Sequence, residues 1–256
     1  MWLLACVATP PPTGPRVVSL HDTTTEIVVG LGHAGDLIAI TEPRFLSPEA
    51  EAAVRDVPRL PSGPVSEEAI LALHPTRVLG TDVVTEQQPE LADLPGAVWI
   101  DPAGLAGLWT EIGAVAAAVD AAPEAYVARL QAQLPAPVVG DVPVFLYDCC
   151  DPPFTMGGRA PLGELLTRLG AHNLFTDLDT DWAHVGWEAV AARRPALVVV
   201  SDYAWKGQAD TDAKIASVRA HLGDVPTITL PLALALEGAR IVEAADRLRP
   251  AIEAAR

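Results

Sequence analysis

The sequence predicts an α/β protein of two lobes, each built on a parallel-type sheet and joined by one helical connector. Three observations carry this. Short β-branched strands alternate with helical patterns from Arg16 to Ile100. The longest helical stretch, residues 105–134, then interrupts the alternation, and strand–helix repeats resume at Val142. Strands alternating with helices at this spacing are βα units, whose crossovers make neighbouring strands parallel.

Each element has its own signal. Arg16 to Leu20 reads as a short buried strand. The polar turn His21 to Glu26 follows it, then the apolar run Ile27 to Leu31 and the stop Gly32. Thr and Asp favour a helix start and Gly a helix end. Leu37 to Ile40 is the second strand. Ser66 opens a helix whose first turn carries Glu67 and Glu68, where carboxylates favour the helix dipole. Thr76 to Leu79 and Val98 to Ile100 are the third and fourth strands. Residues 105–119 and 123–134 show i, i+3, i+4 apolar spacing, with Pro123 suited to a first turn. In the second half, Val142 to Tyr147, Ala196 to Ser201 and Thr227 to Leu230 are strands. Helices are expected over Pro161 to Leu169, Trp187 to Ala192, Ala213 to Leu222 and Ile241 to Ala254.

Composition narrows the class. The 256 residues carry 33 acidic side chains against 17 Lys and Arg, a formal net charge of −16. So acidic a balance argues against nucleic acid and anionic membrane surfaces as partners. No run of eighteen apolar residues exists to span a bilayer.

The chain opens with Leu3-Leu4-Ala5-Cys6 and a Pro-rich spacer to Pro15. This start resembles a lipobox, which would make Cys6 a lipid-anchored residue on an extended tether. The alternative is a frayed N-terminus. Cys149 and Cys150 are adjacent, so they form no stapling framework. Buried thiols, a redox-labile vicinal pair and metal ligands all fit them.

Particular strings carry a family resemblance. Arg16 to Thr41 (RVVSLHDTTTEIVVGLGHAGDLIAIT), Ser66 to Leu79, Pro152 to Gly158 (PPFTMGG), Leu162 to Trp182 and Val185 to Tyr203 run in one order and spacing. That ordered set resembles the class III, or cluster A-II, substrate-binding proteins of bacterial ABC importers. The PPFT-x-G segment is most similar to the cobalamin-binding branch. The resemblance implies two Rossmann-like lobes joined by a single long bridging helix, here residues 121–136, with the N-lobe over 16–120 and the C-lobe over 137–256. It implies an extracytoplasmic, monomeric, non-catalytic protein that delivers a cobalt or iron chelate, a corrinoid or ferric siderophore, to a permease and its ATPase. No covalent cofactor is expected. Acidic residues would dock the permease: Glu86 and Glu90 on the N-lobe, Asp210 and Asp212 on the C-lobe.

In open α/β sheets a ligand binds beyond the carboxyl ends of the strands. The turn His21-Asp22-Thr23 and the turn Asp148-Cys149-Cys150-Asp151 each follow the first strand of a lobe, so both should border the cleft. Phe154, Trp182 and Trp205 offer aromatic faces for a planar macrocycle, or pin their loops. Arg159 could pair with a ligand anion, and His184 neighbours Trp182. His21 with Cys149 and Cys150 could instead bind zinc or copper directly. A Cys-nucleophile enzyme is a third reading, though the sequence shows no elbow or triad order.

Overall fold

The computed structural model describes residues 14–61, 64–101, 103–236 and 238–256. The lipobox-like start with Cys6 lies outside the described residues.

The first lobe holds β1 (Val17–Ser19), α1 (Asp22–Gly30), β2 (Leu37–Ile40), α2 (Pro48–Ala53), α3 (Glu67–Leu71), β3 (Arg77–Thr81), α4 (Asp82–Gln87) and β4 (Ala97–Ile100). Its four strands are all parallel in the order β2-β1-β3-β4. The second lobe holds β5 (Val142–Tyr147), β6 (Phe154–Met156), α7 (Pro161–Arg168), β7 (Ala171–Asn173) and β8 (Trp182–His184). It continues with α8 (Trp187–Ala192), β9 (Leu197–Asp202), α9 (Gln208–Leu222), β10 (Thr227–Pro231) and α10 (Ala244–Ala254). The sheet order is β10-β9-β5-β7, again parallel, while β6 and β8 form a separate antiparallel pair. In both sheets the first strand has a partner on each side. The crossovers therefore diverge at β1 and at β5, which is where such sheets open a binding crevice.

Between the lobes run α5 (Gly104–Ala118) and α6 (Glu124–Gln131). The bridge expected over 121–136 is thus only an eight-residue helix. The fifteen-residue α5 packs on α1 and β4 on one side and on α7 on the other. Its Leu105, Leu108, Ile112 and Val115 share one buried cluster with Ile27 of α1 and Leu165 of α7. Burying each such side chain contributes about 1.5–3 kcal/mol, so this core resists shearing one lobe past the other. The Ala-rich repeat of α5 gives no sign in sequence of which neighbours it meets.

After β10 the chain returns to the first lobe. Residues 239–243 form a tight helical turn that touches α1, α6 and α7. A Cβ on Gly238 would lie against the side chain of Thr23, so a residue without one lets this segment sit flat on the start of α1.

Candidate functional site

The turn after β1 is tied down by its own side chains. The Oγ atoms of Ser19 and Thr24 are 2.8 Å apart, Thr25 Oγ1 donates to Ser19 Oγ, and Thr24 Oγ1 donates to the carbonyl of His21. His21 is the N-cap of α1, its Nδ1 accepting the Thr23 N–H at 3.3 Å. Desolvation by burial holds its pKa down at about 4, so the ring is neutral at pH 7. With Nδ1 accepting, the proton of the neutral ring sits on Nε2, which then has no lone pair for a metal.

Asp22 organises the neighbouring loop. One carboxylate oxygen accepts the N–H groups of both Arg44 and Phe45, at 2.7 and 2.8 Å. Desolvation raises the Asp22 pKa, and these two bonds oppose the rise. Glu26, one helical turn on, holds Ser47 through its N–H and hydroxyl. The loop so held presents Phe45, whose ring meets His21 edge-on at 5.5 Å.

From Phe45 an aromatic series crosses to the other lobe. Phe45 lies 6.1 Å from Trp205, which stacks on Tyr203 at 5.0 Å and 8°. Trp205 is 42% exposed. Tyr203 is buried, donates its hydroxyl to Asp148 at 2.5 Å, and carries Lys214 Nζ 3.5 Å from its ring centre. Burial, first, and the Asp148 carboxylate raise the Tyr203 pKa, so the phenol stays protonated. The two turns that follow β1 and β5 are thereby linked through His21, Phe45, Trp205, Tyr203 and Asp148. The carbonyl of Phe45 also accepts from Arg240 at 3.1 Å. Asp22, Thr23, Phe45, Ala233, Gly238 and Arg240 line a small crevice at this junction. A larger cavity of about 140 Å³ lies between α1, α6 and residues 239–243, and none of the expected cleft residues lines it.

A second contact closes the lobes elsewhere. Arg159 reaches Asp101, next after β4, at 2.8 Å and Asp181 at 3.5 Å. Desolvation, then the charge of Asp101, raises the pKa of both Asp82 and Asp181. Arg159 is therefore engaged with protein carboxylates.

Cys149 and Cys150 form a vicinal disulfide. Both sulfurs are consumed, so neither is a buried thiol, a thiolate ligand or a nucleophile in this state. Among the described residues no group of three or more His, Cys, Asp or Glu stands together to hold a metal ion. His21, Cys149 and Cys150 are not gathered into a donor set among the described residues. The turn itself is set by backbone bonds between Asp148, Cys149 and Phe154, and by the Tyr147 hydroxyl donating to the Cys150 carbonyl. Asp151 is exposed.

The β6–β8 pair carries its own aromatic row. Phe154 stacks on Trp182 at 5.6 Å and lies 4.8 Å from the His184 ring. Trp187 is core, packed on Phe145 and Tyr147.

The docking candidates separate. Glu86, Glu90 and Asp212 are exposed. Asp210 turns inward to Lys214 at 3.1 Å. The pairing follows from α9 starting at Gln208, which places positions 210 and 214 on one face. Sequence reading missed Phe45, Tyr203 as an anchor, Lys214 and Arg240. Phe45 stands in a loop without periodicity, and its place depends on a carboxylate 23 residues earlier.

The family model described as periplasmic binding protein matches residues 17–221. A vitamin B12-binding protein of Yersinia pestis is 26% identical over 209 residues, covering 78% of this chain and 74% of the relative. A periplasmic binding protein of Veillonella parvula superposes with a TM-score of 0.80 at 23% identity, covering 95% of this chain and 93% of that one. The periplasmic vitamin B12-binding protein of Vibrio cholerae gives 0.68 at 20% identity, with 96% and 99% covered. The periplasmic heme-binding protein of Roseiflexus gives 0.67 at 23% identity, with 95% and 100% covered.

Proposed function

Because this chain belongs to the periplasmic binding protein family, we propose that it captures a metal chelate between its lobes and delivers it to an ABC importer. The working place is extracytoplasmic. The observation that carries the reading is the aromatic contact between the lobes, Phe45 against Trp205, with a second stacked pair, Phe154 and Trp182, on the β6–β8 strands. Aromatic faces give a flat ligand large contact area at low entropic cost.

The relatives named for vitamin B12 and heme support a chelate of cobalt or iron as the ligand class. In this reading α5 is the bridge, with the lobes at residues 16–103 and 137–256. Glu86, Glu90 and Asp212 form the docking charge for basic permease loops, and no catalysis is required of any residue.

Titration of the purified protein with aquocobalamin, ferric haem and a ferric siderophore, followed by Trp fluorescence, tests the proposal. Saturable quenching by one of them at micromolar concentration is expected. Absence of quenching by all three, with unchanged thermal stability in their presence, refutes it.

A further inference from the structure

We infer that the cavity between α1, α6 and residues 239–243 is a second binding site, whose ligand is a small organic molecule with a primary ammonium group. Neither Phe45 nor Trp205 lines it, so it is a separate place from the aromatic contact between the lobes.

Segments distant in sequence close around this cavity. Helix α1 supplies Glu26, α6 supplies Tyr126 and Arg129, and the chain returning after β10 supplies Arg240 and Glu243. Its volume is about 140 Å³, the liquid volume of roughly five waters. Tyr126 is 7% exposed and packs in one buried cluster with Ile27 and Leu130. The hydroxyl end of its ring lies over Gly30, the last residue of α1. A Cβ there would fall 2.3 Å from Tyr126 Cζ and 2.5 Å from Oη. Among the described residues this hydroxyl has no hydrogen-bond partner, and the side chain that carries it lines the cavity. A buried hydroxyl without a partner favours a ligand that supplies one.

The surrounding charges select the sign of that ligand. Glu26, Glu49 and Glu243 line the cavity with Arg129 and Arg240, one carboxylate more than the cations. Arg240 is already engaged: Nε and Nη2 donate to Glu243 at 3.1 and 3.0 Å, and Nη1 donates to the Phe45 carbonyl. Arg129 lies over the Tyr126 ring, 5.1 Å from its centre. Glu26 and Glu49 have no cationic partner among the described residues. Burial, first, and then the charge of Glu26 raise the Tyr126 pKa; Arg129 opposes the rise, and Glu243 and Glu49 add to it. The phenol therefore stays protonated in a negative field, which repels an anion and attracts a cation.

The spread of acceptors favours an ammonium over a metal ion. No group of three or more His, Cys, Asp or Glu is gathered for a metal among the described residues. A primary ammonium carries three donors that point apart. They would serve the Tyr126 oxygen, Glu26 and a carboxylate at the exposed rim, while the carbon chain lies against Val29 and Leu130. Glu26 can take part because each of its oxygens accepts only one bond from Ser47 and keeps a second lone pair.

The probe is n-butylammonium, titrated calorimetrically into the full chain at constant ionic strength. Tetramethylammonium, of equal charge but without an N–H, is the control. Saturable binding of n-butylammonium, a melting temperature that rises with its concentration and no response to tetramethylammonium are expected. Tyr126→Phe removes only the unpartnered oxygen. Without probe its melting temperature should match or exceed that of the wild type, and its affinity for n-butylammonium should fall about tenfold. Glu49→Gln, at an exposed position, should weaken binding about threefold. Equal responses to both cations, an affinity unchanged in Tyr126→Phe, or no saturable binding up to ~10 mM overturns the inference. So does a lower melting temperature of Tyr126→Phe without probe, which would mean that the hydroxyl is bonded within the protein. Stronger binding of Nα-acetyl-lysine methylamide than of n-butylammonium would assign the site to a partner's lysine side chain and overturn the small-molecule reading.

Discussion

Phe45 of the first lobe and Trp205 of the second face each other across the junction with ring centres 6.1 Å apart. Phe45 is fixed from a distance in sequence and Trp205 by a near neighbour. Asp22 positions Phe45 through two backbone N–H groups, and Tyr203 backs Trp205 by parallel stacking. Each ring should contribute about 1 kcal/mol to holding a planar ligand, roughly fivefold in affinity. Phe45→Ala and Trp205→Ala should each weaken chelate binding by that factor in a calorimetric titration. Melting temperature should change little for Trp205→Ala, because the ring is already 42% exposed.

The acid side of the stability curve should belong in part to His21. Its folded pKa is depressed to about 4 by desolvation, against an unfolded value near 6.5. The unfolded chain therefore binds the proton first, and stability present above pH 6.5 is lost as pH falls towards 4. His21→Asn keeps an N-cap residue and removes the titration. Denaturant melts at pH 7 and pH 4.5 should show a smaller difference for this variant than for wild type.

Asp22 has the opposite sign. Its pKa is raised in the fold, chiefly by desolvation, so the stability it contributes when protonated is lost as pH rises through the folded value. Asp22→Asn keeps an acceptor without the charge, and should gain on the wild type between pH 4 and pH 7. Asp22→Ala leaves the Arg44 and Phe45 N–H groups without their acceptor. It should cost about 1–3 kcal/mol at any pH, measured by the same melts, and weaken chelate binding by releasing Phe45.

Much of the fold is legible in the sequence. The alternation of β-branched runs with capped helices identified two parallel sheets, and the strand-end rule pointed to His21–Thr23 and Asp148–Asp151. What escaped was whatever depends on distant partners. Phe45 sits in an aperiodic loop whose anchor is Asp22. The strands β6 and β8 are three residues each, too short for an alternation to register. The bridge over 121–136 is what the resemblance implies, and the helix there, α6, has eight residues. Only packing shows that α5 touches both lobes. Asp210 reads as a surface acid until Lys214, one turn later, is seen buried beside it.

Arg159 is the cation that Asp101 and Asp181 share across the junction. Removing it takes a shared cation from Asp101 and Asp181, and the charge of Asp101 already raises the pKa of Asp82 and Asp181 behind desolvation. The arginine is largely solvated, so the direct loss is small. Arg159→Gln should lower the melting temperature by about 1–2 °C at low salt and less at high salt. Adding Asp181→Asn should restore it. A loss of the same size in the double variant would show that the repulsion is not the cause.

The vicinal pair Cys149–Cys150 closes the shortest loop a disulfide can close. The entropy removed from the unfolded chain scales with the logarithm of loop length. Cys149→Ser with Cys150→Ser should therefore cost only about 1 kcal/mol, far less than a bridge between distant segments. The backbone bonds from Asp148 and Phe154 that shape the turn do not involve the sulfurs, nor does the Tyr147 hydroxyl bond to the Cys150 carbonyl. Chelate quenching should survive in the double variant, and zinc should bind neither protein tightly. Loss of chelate binding on removing the sulfurs, with the melting curve intact, would instead place the disulfide in contact with the ligand.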